Sequence, residues 1–209
     1  MNNVIYRDLN TKDYEKIKEL ISDAFQFESF IKEPKLLEMS LDVYLQETLA
    51  TTSFYKVAEK DGKVIGFIFG YANKDEDNMG IFEYTPNLDE KEIASLMQID
   101  ENKSALEDFE KISISYKELI KGCEENFQGG INLFVVSPES RGLGVGKILI
   151  NSLYSYMRSQ DVNSMYLFTD TRCNYGFYDS QNFKRIKESP VSFNSLDTNL
   201  TAFLYEYKF

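Results

Sequence analysis

The sequence predicts one α/β domain in which helices flank a central β-sheet. Residues 131–136 form an apolar segment typical of a strand, and it leads into a glycine-rich loop and a long amphipathic helix. Residues 164–170 follow as a second buried strand. The chain has 209 residues, which is enough to bury one sizeable core. A single domain over residues 1–209 is therefore expected.

The beginning of the chain is predicted to contain a strand and two helices. Residues 4–7 are typical of a short strand. Thr11 is expected to be the N-cap of a helix in which apolar residues recur at helical spacing as far as Phe25. A second helix is expected over residues 36–49.

A β-hairpin is predicted next. Its strands are residues 54–59 and 64–73, and they are joined around Asp61-Gly62. This dipeptide favours the tight primed turns that connect hairpin strands.

Residues 74–130 are predicted to be an acidic helical segment. They carry six basic and fifteen acidic side chains, a net charge of −9. A short helix is expected over residues 90–98, and a longer one has apolar residues at spacings of three and four. Those apolar residues are Phe109, Ile112, Tyr116, Leu119, Ile120, Cys123 and Phe127. Both helices should pack onto the domain, and Gly129-Gly130 should end the helical segment before the central strand.

The end of the chain is predicted to close the sheet. Apolar and polar residues alternate over 199–208 in a pattern that predicts a strand. This strand should be antiparallel and near the sheet edge.

Composition excludes several functions. The net charge is −11, which argues against nucleic-acid binding because that relies on clustered Lys and Arg. No apolar run is long enough to span a membrane and no signal peptide is recognisable, so we expect a cytoplasmic protein without a membrane partner. Histidine is absent, which rules out Ser-His and Cys-His nucleophiles.

The two cysteines indicate neither a disulfide framework nor a metal site. Cys123 is expected on the apolar face of the longer helix, and Cys173 is expected to be a packing residue. No metal is predicted.

The glycine-rich loop 141–147 is the most informative motif. It fails the Walker pattern at two positions, because Arg141 stands where a glycine is needed and Ile148 where a hydroxyl is needed. It fails the dinucleotide pattern at Lys147, which replaces the last glycine. The pattern that remains is R-x-x-G-x-G. Glycines before a helix N-terminus expose main-chain amides to a phosphate, although a simple glycine-rich cap has the same local sequence.

This R-x-x-G-x-G loop resembles the signature of the GNAT superfamily of N-acyltransferases, in which it holds the pyrophosphate of coenzyme A. A second segment, Tyr178 to Phe183, resembles the closing Y-x-x-x-G-F pattern of the same family. Asn182 replaces the glycine of that pattern, and Asn is among the few residues that adopt the left-handed conformation needed at a helix end. The order of strand, loop, helix, strand and Tyr-bearing helix is that of the family.

The resemblance implies a GNAT-type mixed, mostly antiparallel, twisted sheet and an acetyl-CoA-dependent N-acetyltransferase. Tyr178 would be the general acid that protonates the thiolate, and Glu83 and Glu28 are candidate general bases. Relative to the family, residues 74–130 are a helical insertion before the central strand. The residues expected to bind the donor are Phe134, Val135, Val136, Arg141, Gly142, Leu143, Gly144, Val145, Gly146, Lys147, Asn174 and Phe177.

The acceptor would be a primary amine of a small molecule or peptide, in a ternary complex with acetyl-CoA. The acidic insertion would favour a cationic acceptor, or it could be a partner-binding or solvated surface. Two other functions stay open. One is a non-catalytic GNAT-fold module that holds acyl-CoA or a protein partner. The other is a nicotinamide-dependent dehydrogenase, against which Lys147 argues. The sequence is compatible with a monomer or a homodimer.

Overall fold

The computed structural model describes residues 4–140, 142–194 and 199–209. Arg141, one of the expected pyrophosphate ligands, lies outside the described residues. In the described parts of the chain, none of the helices has the length and apolar character required to cross a bilayer.

Seven strands of the described residues form one sheet in the order β1-β2-β3-β4-β5-β7-β6. They are β1 (Ile5–Arg7), β2 (Phe54–Lys60), β3 (Lys63–Ala72), β4 (Gly129–Val136), β5 (Ser164–Asp170), β6 (Lys184–Ser192) and β7 (Asn199–Lys208). All neighbouring strands are antiparallel except β4 and β5, which are parallel. The predicted fold class, a mostly antiparallel sheet flanked by helices, is confirmed.

Helices cover both faces of this sheet. They are α1 (Tyr14–Phe25), α2 (Phe27–Phe30), α3 (Pro34–Ala50), α4 (Glu90–Leu96), α5 (Asp100–Ile120), α6 (Val145–Ser159) and α7 (Gly176–Ser180). Phe67 and Phe69 of β3 pack in one core cluster with α1 and α3, while Ile68 between them packs with α6. Because successive side chains of a strand point to opposite faces, α6 lies across the sheet from α1 and α3.

The α5 helix lies on the same face as α1 and α3. It packs against β6, β7 and α2. Ala202 and Leu204 of β7 share a core cluster with α5, whereas Phe203 and Tyr205 share one with α6. The expectation that the helices of the insertion dock is therefore met by α5. In α4 no residue is buried, and the half-buried Leu96 packs against the core.

The hairpin turn has the predicted conformation. Asp61 and Gly62 have φ values of 53° and 74°, the pair of positive angles that a type I′ turn requires. The start of the first helix differs from the prediction that Thr11 is its N-cap. Asn10 is the N-cap, and its side chain and that of Asp13 form a capping box around a short 3₁₀ turn that precedes α1.

Two predictions in the insertion are wrong. The longer helix ends at Ile120, so Cys123 and Phe127 lie beyond it. Gly129 and Gly130 do not end this helix, which stops at Ile120; instead they begin β4. A Cβ at Gly129 would overlap the main-chain carbonyl of Tyr71 on β3, so glycine allows the two strands to approach there.

The edge strand β6 was not predicted from the sequence. It contains several charged residues and Pro190, and most of its side chains are at least partly exposed. Such a strand lacks the alternation of apolar residues that identifies a half-buried strand, and Pro is tolerated only at sheet edges. Consequently β7 lies one strand in from the edge, between β5 and β6.

Candidate active site

A β-bulge separates the two parallel strands at the centre of the sheet. On β4, Leu133 pairs with Phe69 and Ile131 pairs with Gly70, so Asn132 is an extra residue in the β3–β4 ladder. Ile131 consequently packs on the α6 face while Leu133 packs on the opposite face. Bulges bend the strand that carries them. The pairing of β4 with β5 ends at Ile131, next to the bulge, and the remaining residues of both strands diverge.

The Asn132 side chain fixes this bulge to the end of α3. Its amide nitrogen donates to the main-chain oxygen of Thr51 at 2.8 Å and to Oγ1 of Thr52 at 2.8 Å. The local sequence does not indicate this role, because the residues that accept these hydrogen bonds are far from Asn132 in the chain.

The gap between the diverging strands opens into a cavity of about 670 Å³. The walls are residues 131–138 of β4 and the turn after it, and Leu167, Phe168 and Thr169 of β5. On one side α1 contributes Leu20, Asp23, Ala24 and Phe25, and on the other the N-terminus of α6 contributes Val145, Gly146 and Lys147. Since α1 and α6 lie on opposite faces, the cavity passes through the sheet.

The described residues of the glycine-rich loop and of the α6 N-terminus present amides to this cavity that have no partner among the described residues. Gly142 and Gly144 line it and have φ values of 81° and 73°, a conformation that L-residues with side chains rarely adopt. Gly144 is the N-cap of α6 and has no side chain to satisfy the first turn. The N–H groups of Val145, Gly146 and Lys147 make no hydrogen bond within the described residues. Such a helix N-terminus, with its partial positive charge, suits a phosphate.

The predicted donor-binding residues converge at this cavity. Phe134, Val135, Val136, Gly142, Gly144, Val145, Gly146, Lys147, Asn174 and Phe177 all line it. Leu143 does not line it and is 47% exposed. A Cβ on Gly146 would lie 3.3 Å from the Phe177 ring, so glycine is what lets the helix approach that side chain.

Tyr178 also lines the cavity, on α7. Its ring packs against Phe134, Phe177 and Phe183 at centroid distances of 6.4, 5.7 and 5.5 Å. Burial raises the pKa of its hydroxyl above the ordinary value. The hydroxyl therefore stays protonated at neutral pH. Asn182 closes the segment with φ 64°, the left-handed conformation expected from its place in the motif.

The two candidate bases lie elsewhere. Glu83 is exposed, and only its main-chain oxygen is engaged, accepting from Tyr14 Oη at 3.2 Å. Glu28 is exposed on α2 and lines a second, smaller cavity of about 390 Å³. Neither lines the cavity that contains Tyr178. Asp23 of α1, which the sequence did not single out, lines both cavities.

The turn after β5 brings the side chains of Arg172 and Cys173 to the site. Asp170 Oδ1 accepts from the main-chain N–H of Arg172 at 2.7 Å, so Asp170 caps this turn. Arg172 and Cys173 line the cavity. Burial, together with the negative charge of Asp170, raises the pKa of the Cys173 thiol to about 11. A thiol in this state is a poor nucleophile at neutral pH.

Within the described part of the chain, no three or more Cys, Asp or Glu side chains are grouped so as to hold a metal ion.

Comparison with protein families gives a match to the model of the acetyltransferase (GNAT) family over residues 14–183. The chain belongs to this GNAT family. Comparison with curated protein sequences gives no significant match.

Solved structures with the same fold include several GNAT enzymes. An N-acetyltransferase from Staphylococcus aureus Mu50 has a TM-score of 0.58 at 13% identity, covering 99% of this chain and 98% of its own. Arabidopsis thaliana NAA60, in complex with a bisubstrate analogue, has a TM-score of 0.57 at 15% identity with the same coverage. PaiA N-acetyltransferase from Thermoplasma acidophilum, in complex with coenzyme A, has a TM-score of 0.53 at 14% identity and covers 99% of both chains. At these identities the likeness concerns the GNAT fold.

Proposed function

We propose that this GNAT protein transfers the acetyl group of acetyl-CoA to a primary amine of a small molecule or peptide. The observation that carries the proposal is the cavity between β4 and β5, which joins the unpaired amides of the glycine-rich loop to Tyr178. A donor with phosphates at one end and a thioester at the other matches these two features. The reaction would be direct attack in a ternary complex.

The residues at the loop end of the cavity fit the phosphates of coenzyme A. The free N–H groups at the start of α6 can donate to phosphate oxygens, and Lys147 adds a positive charge at the same wall. Beyond Ile131, the edge of β4 that faces β5 is not paired with that strand. Its main-chain groups can hydrogen-bond the amides in the extended arm of coenzyme A. These features support a coenzyme A thioester over a shorter acyl donor.

Tyr178 would supply the proton to the departing thiolate. Its hydroxyl makes no hydrogen bond to a described residue, and burial keeps it protonated. Cys173 lies in the same cavity, but its raised pKa opposes an acyl-cysteine intermediate.

The amine must lose a proton before it attacks, because an alkylammonium has a pKa of about 10.4. Among the described residues, Asp23 is the carboxylate that lines the cavity. We assign it the role of base, directly or through water, in place of Glu83 and Glu28. An ammonium group would also be attracted to this carboxylate, which fits a cationic acceptor.

The test is to incubate the protein with acetyl-CoA and separate panels of polyamines, amino acids, aminoglycosides and peptides while following free thiol. Transfer predicts thiol release above the rate without acceptor, and mass spectrometry should show an acetylated amine. Binding of acetyl-CoA with no release for any amine would instead identify a non-catalytic module. Asp23→Asn should reduce release most at low pH, where the ammonium form predominates.

A further inference from the structure

The Arg172 side chain lines the cavity, and its guanidinium has no hydrogen-bond partner among the described residues. The side chain is only 18% exposed, and its Nε is shut off from solvent with no acceptor in range. The nearest carboxylate oxygen, Oδ1 of Asp170, lies 3.7 Å from that Nε, which is too far for a hydrogen bond. Among the described residues the two terminal nitrogens make no hydrogen bond either, and the side chain lines the cavity. Asp170 therefore gives the guanidinium a long ion pair and no hydrogen bond. Buried polar groups are nearly always hydrogen-bonded, so the free donors of this guanidinium indicate a missing ligand.

Two aromatic rings hold this guanidinium in place. Its central carbon lies 4.7 Å from the ring centre of Phe30 and 5.6 Å from that of Phe193. The two rings pack edge to face at 5.1 Å. An arginine that stacks on aromatic faces keeps its planar fork of donors pointing in a fixed direction, which is the arrangement that binds a carboxylate with two parallel hydrogen bonds.

Arg172 belongs to the acceptor side of the cavity. Phe30 is on α2 and shares a core cluster with α5, on the face of the sheet opposite α6. The glycine-rich loop leads into α6 and therefore lies on the opposite face of the sheet. The acetyl donor's phosphates and the Arg172 guanidinium would then lie at different ends of the passage between β4 and β5.

We propose that Arg172 binds a carboxylate of the acceptor, so that the substrate is an amino acid or a short peptide with a free C-terminus. This inference rests on the proposed acetyl transfer. Besides Lys147 next to the glycine-rich loop, the charged side chains of described residues at the cavity wall are Asp23 and Arg172. An amino acid carries the pair of charges complementary to these two.

The experiment compares two acceptor pools with saturating acetyl-CoA: the twenty proteinogenic amino acids and the corresponding amino acid amides. The pools have the same side chains and differ in the α-carboxylate. Because this carboxylate also raises the pKa of the neighbouring ammonium, rates are compared at equal concentrations of neutral amine. Wild-type protein should release thiol about tenfold or more faster with the acids, the size of effect that a charge-assisted hydrogen bond gives. Arg172→Met should remove this preference and leave the KM for acetyl-CoA within about twofold of wild type. Arg172→Lys, which keeps the charge without the fork, should retain only part of the preference.

Arg158→Met is the matched control, because Arg158 is exposed and stacks on Phe209 outside the cavity. It should behave as wild type. Equal rates with acids and amides in wild type would overturn the inference while leaving acetyl transfer intact. A raised KM for acetyl-CoA in Arg172→Met would also overturn it, since the guanidinium would then hold a donor phosphate.

Saturation-transfer NMR with the amino-acid pool and coenzyme A gives a readout that does not need turnover. If no amine is acetylated, yet amino acids bind wild type and not Arg172→Met, the acetyl transfer is wrong and the carboxylate site stands. If amino acids bind both proteins equally, the carboxylate site is wrong.

Discussion

At the scale of single residues, the proposed general acid Tyr178 offers the clearest test of an enzyme against a binding module. Tyr178→Phe removes the hydroxyl and keeps the ring that packs on Phe134 and Phe183. We expect kcat to fall about a hundredfold to ten-thousandfold, the usual contribution of a general acid, with the Kd for acetyl-CoA nearly unchanged. Steady-state kinetics and calorimetry measure the two quantities. Unchanged kcat would remove Tyr178 from the mechanism.

The Cys173 thiol gives a prediction about pH. Because its pKa is raised to about 11, the thiolate fraction rises with pH well beyond the range of an ordinary thiol. In a Cys123→Ser background, which leaves one thiol, the alkylation rate by iodoacetamide should increase about tenfold per pH unit from pH 7 to 10. The slope on a logarithmic plot follows from the linear dependence of rate on thiolate concentration. A plateau below about pH 9 would mean that the site stabilises the thiolate.

At the scale of elements, the Asn132 bulge is what keeps β4 and β5 apart. Asn132→Ala removes the three hydrogen bonds that tie the bulge to Thr51 and Thr52 at the end of α3. The free energy of unfolding should fall by about 1–3 kcal/mol, and affinity for acetyl-CoA should weaken because the gap loses its anchor.

Asn151→Ala is a suitable control for this change. Asn151 is exposed on α6 and its side chain makes no hydrogen bond within the described residues. Alanine is the best helix former, so this variant should be at least as stable as wild type. Chemical denaturation of both variants tests the difference. Equal midpoints would show that the hydrogen bonds of Asn132 do not stabilise the protein.

The sequence predicted those features whose conformation depends on neighbouring residues in the chain. The Asp61-Gly62 turn and the left-handed Asn182 depend on the residues themselves, and both conformations occur as expected. The bulge at Asn132 depends on which residue of β3 pairs with which residue of β4, and no local pattern contains that register. Arg172 was missed for the same reason, because Phe30 and Phe193 meet it only in the folded chain.

At the scale of the whole molecule, the α5 helix of the acidic insertion is part of the core. Ile112 of α5 is 9% exposed and packs with β7, whereas Ile114 of the same helix is 51% exposed. Ile112→Ala should lower the free energy of unfolding by about 2–5 kcal/mol, and Ile114→Ala should change it by less than about 0.5 kcal/mol. Thermal or urea denaturation compares the pair. Equal effects would mean that α5 is not docked in solution.

The central claim is that the passage between β4 and β5 binds acetyl-CoA, with its phosphates on the amides at the start of α6. Isothermal titration calorimetry with acetyl-CoA tests this most directly. We predict one site per chain with a Kd of roughly 1 µM to 1 mM, the range usual for enzyme substrates, and a loss of binding in Gly144→Val, because valine is strained at the φ of 73° that Gly144 adopts. Absence of binding heat for wild type at several temperatures, or equal affinity in the variant, would contradict the account.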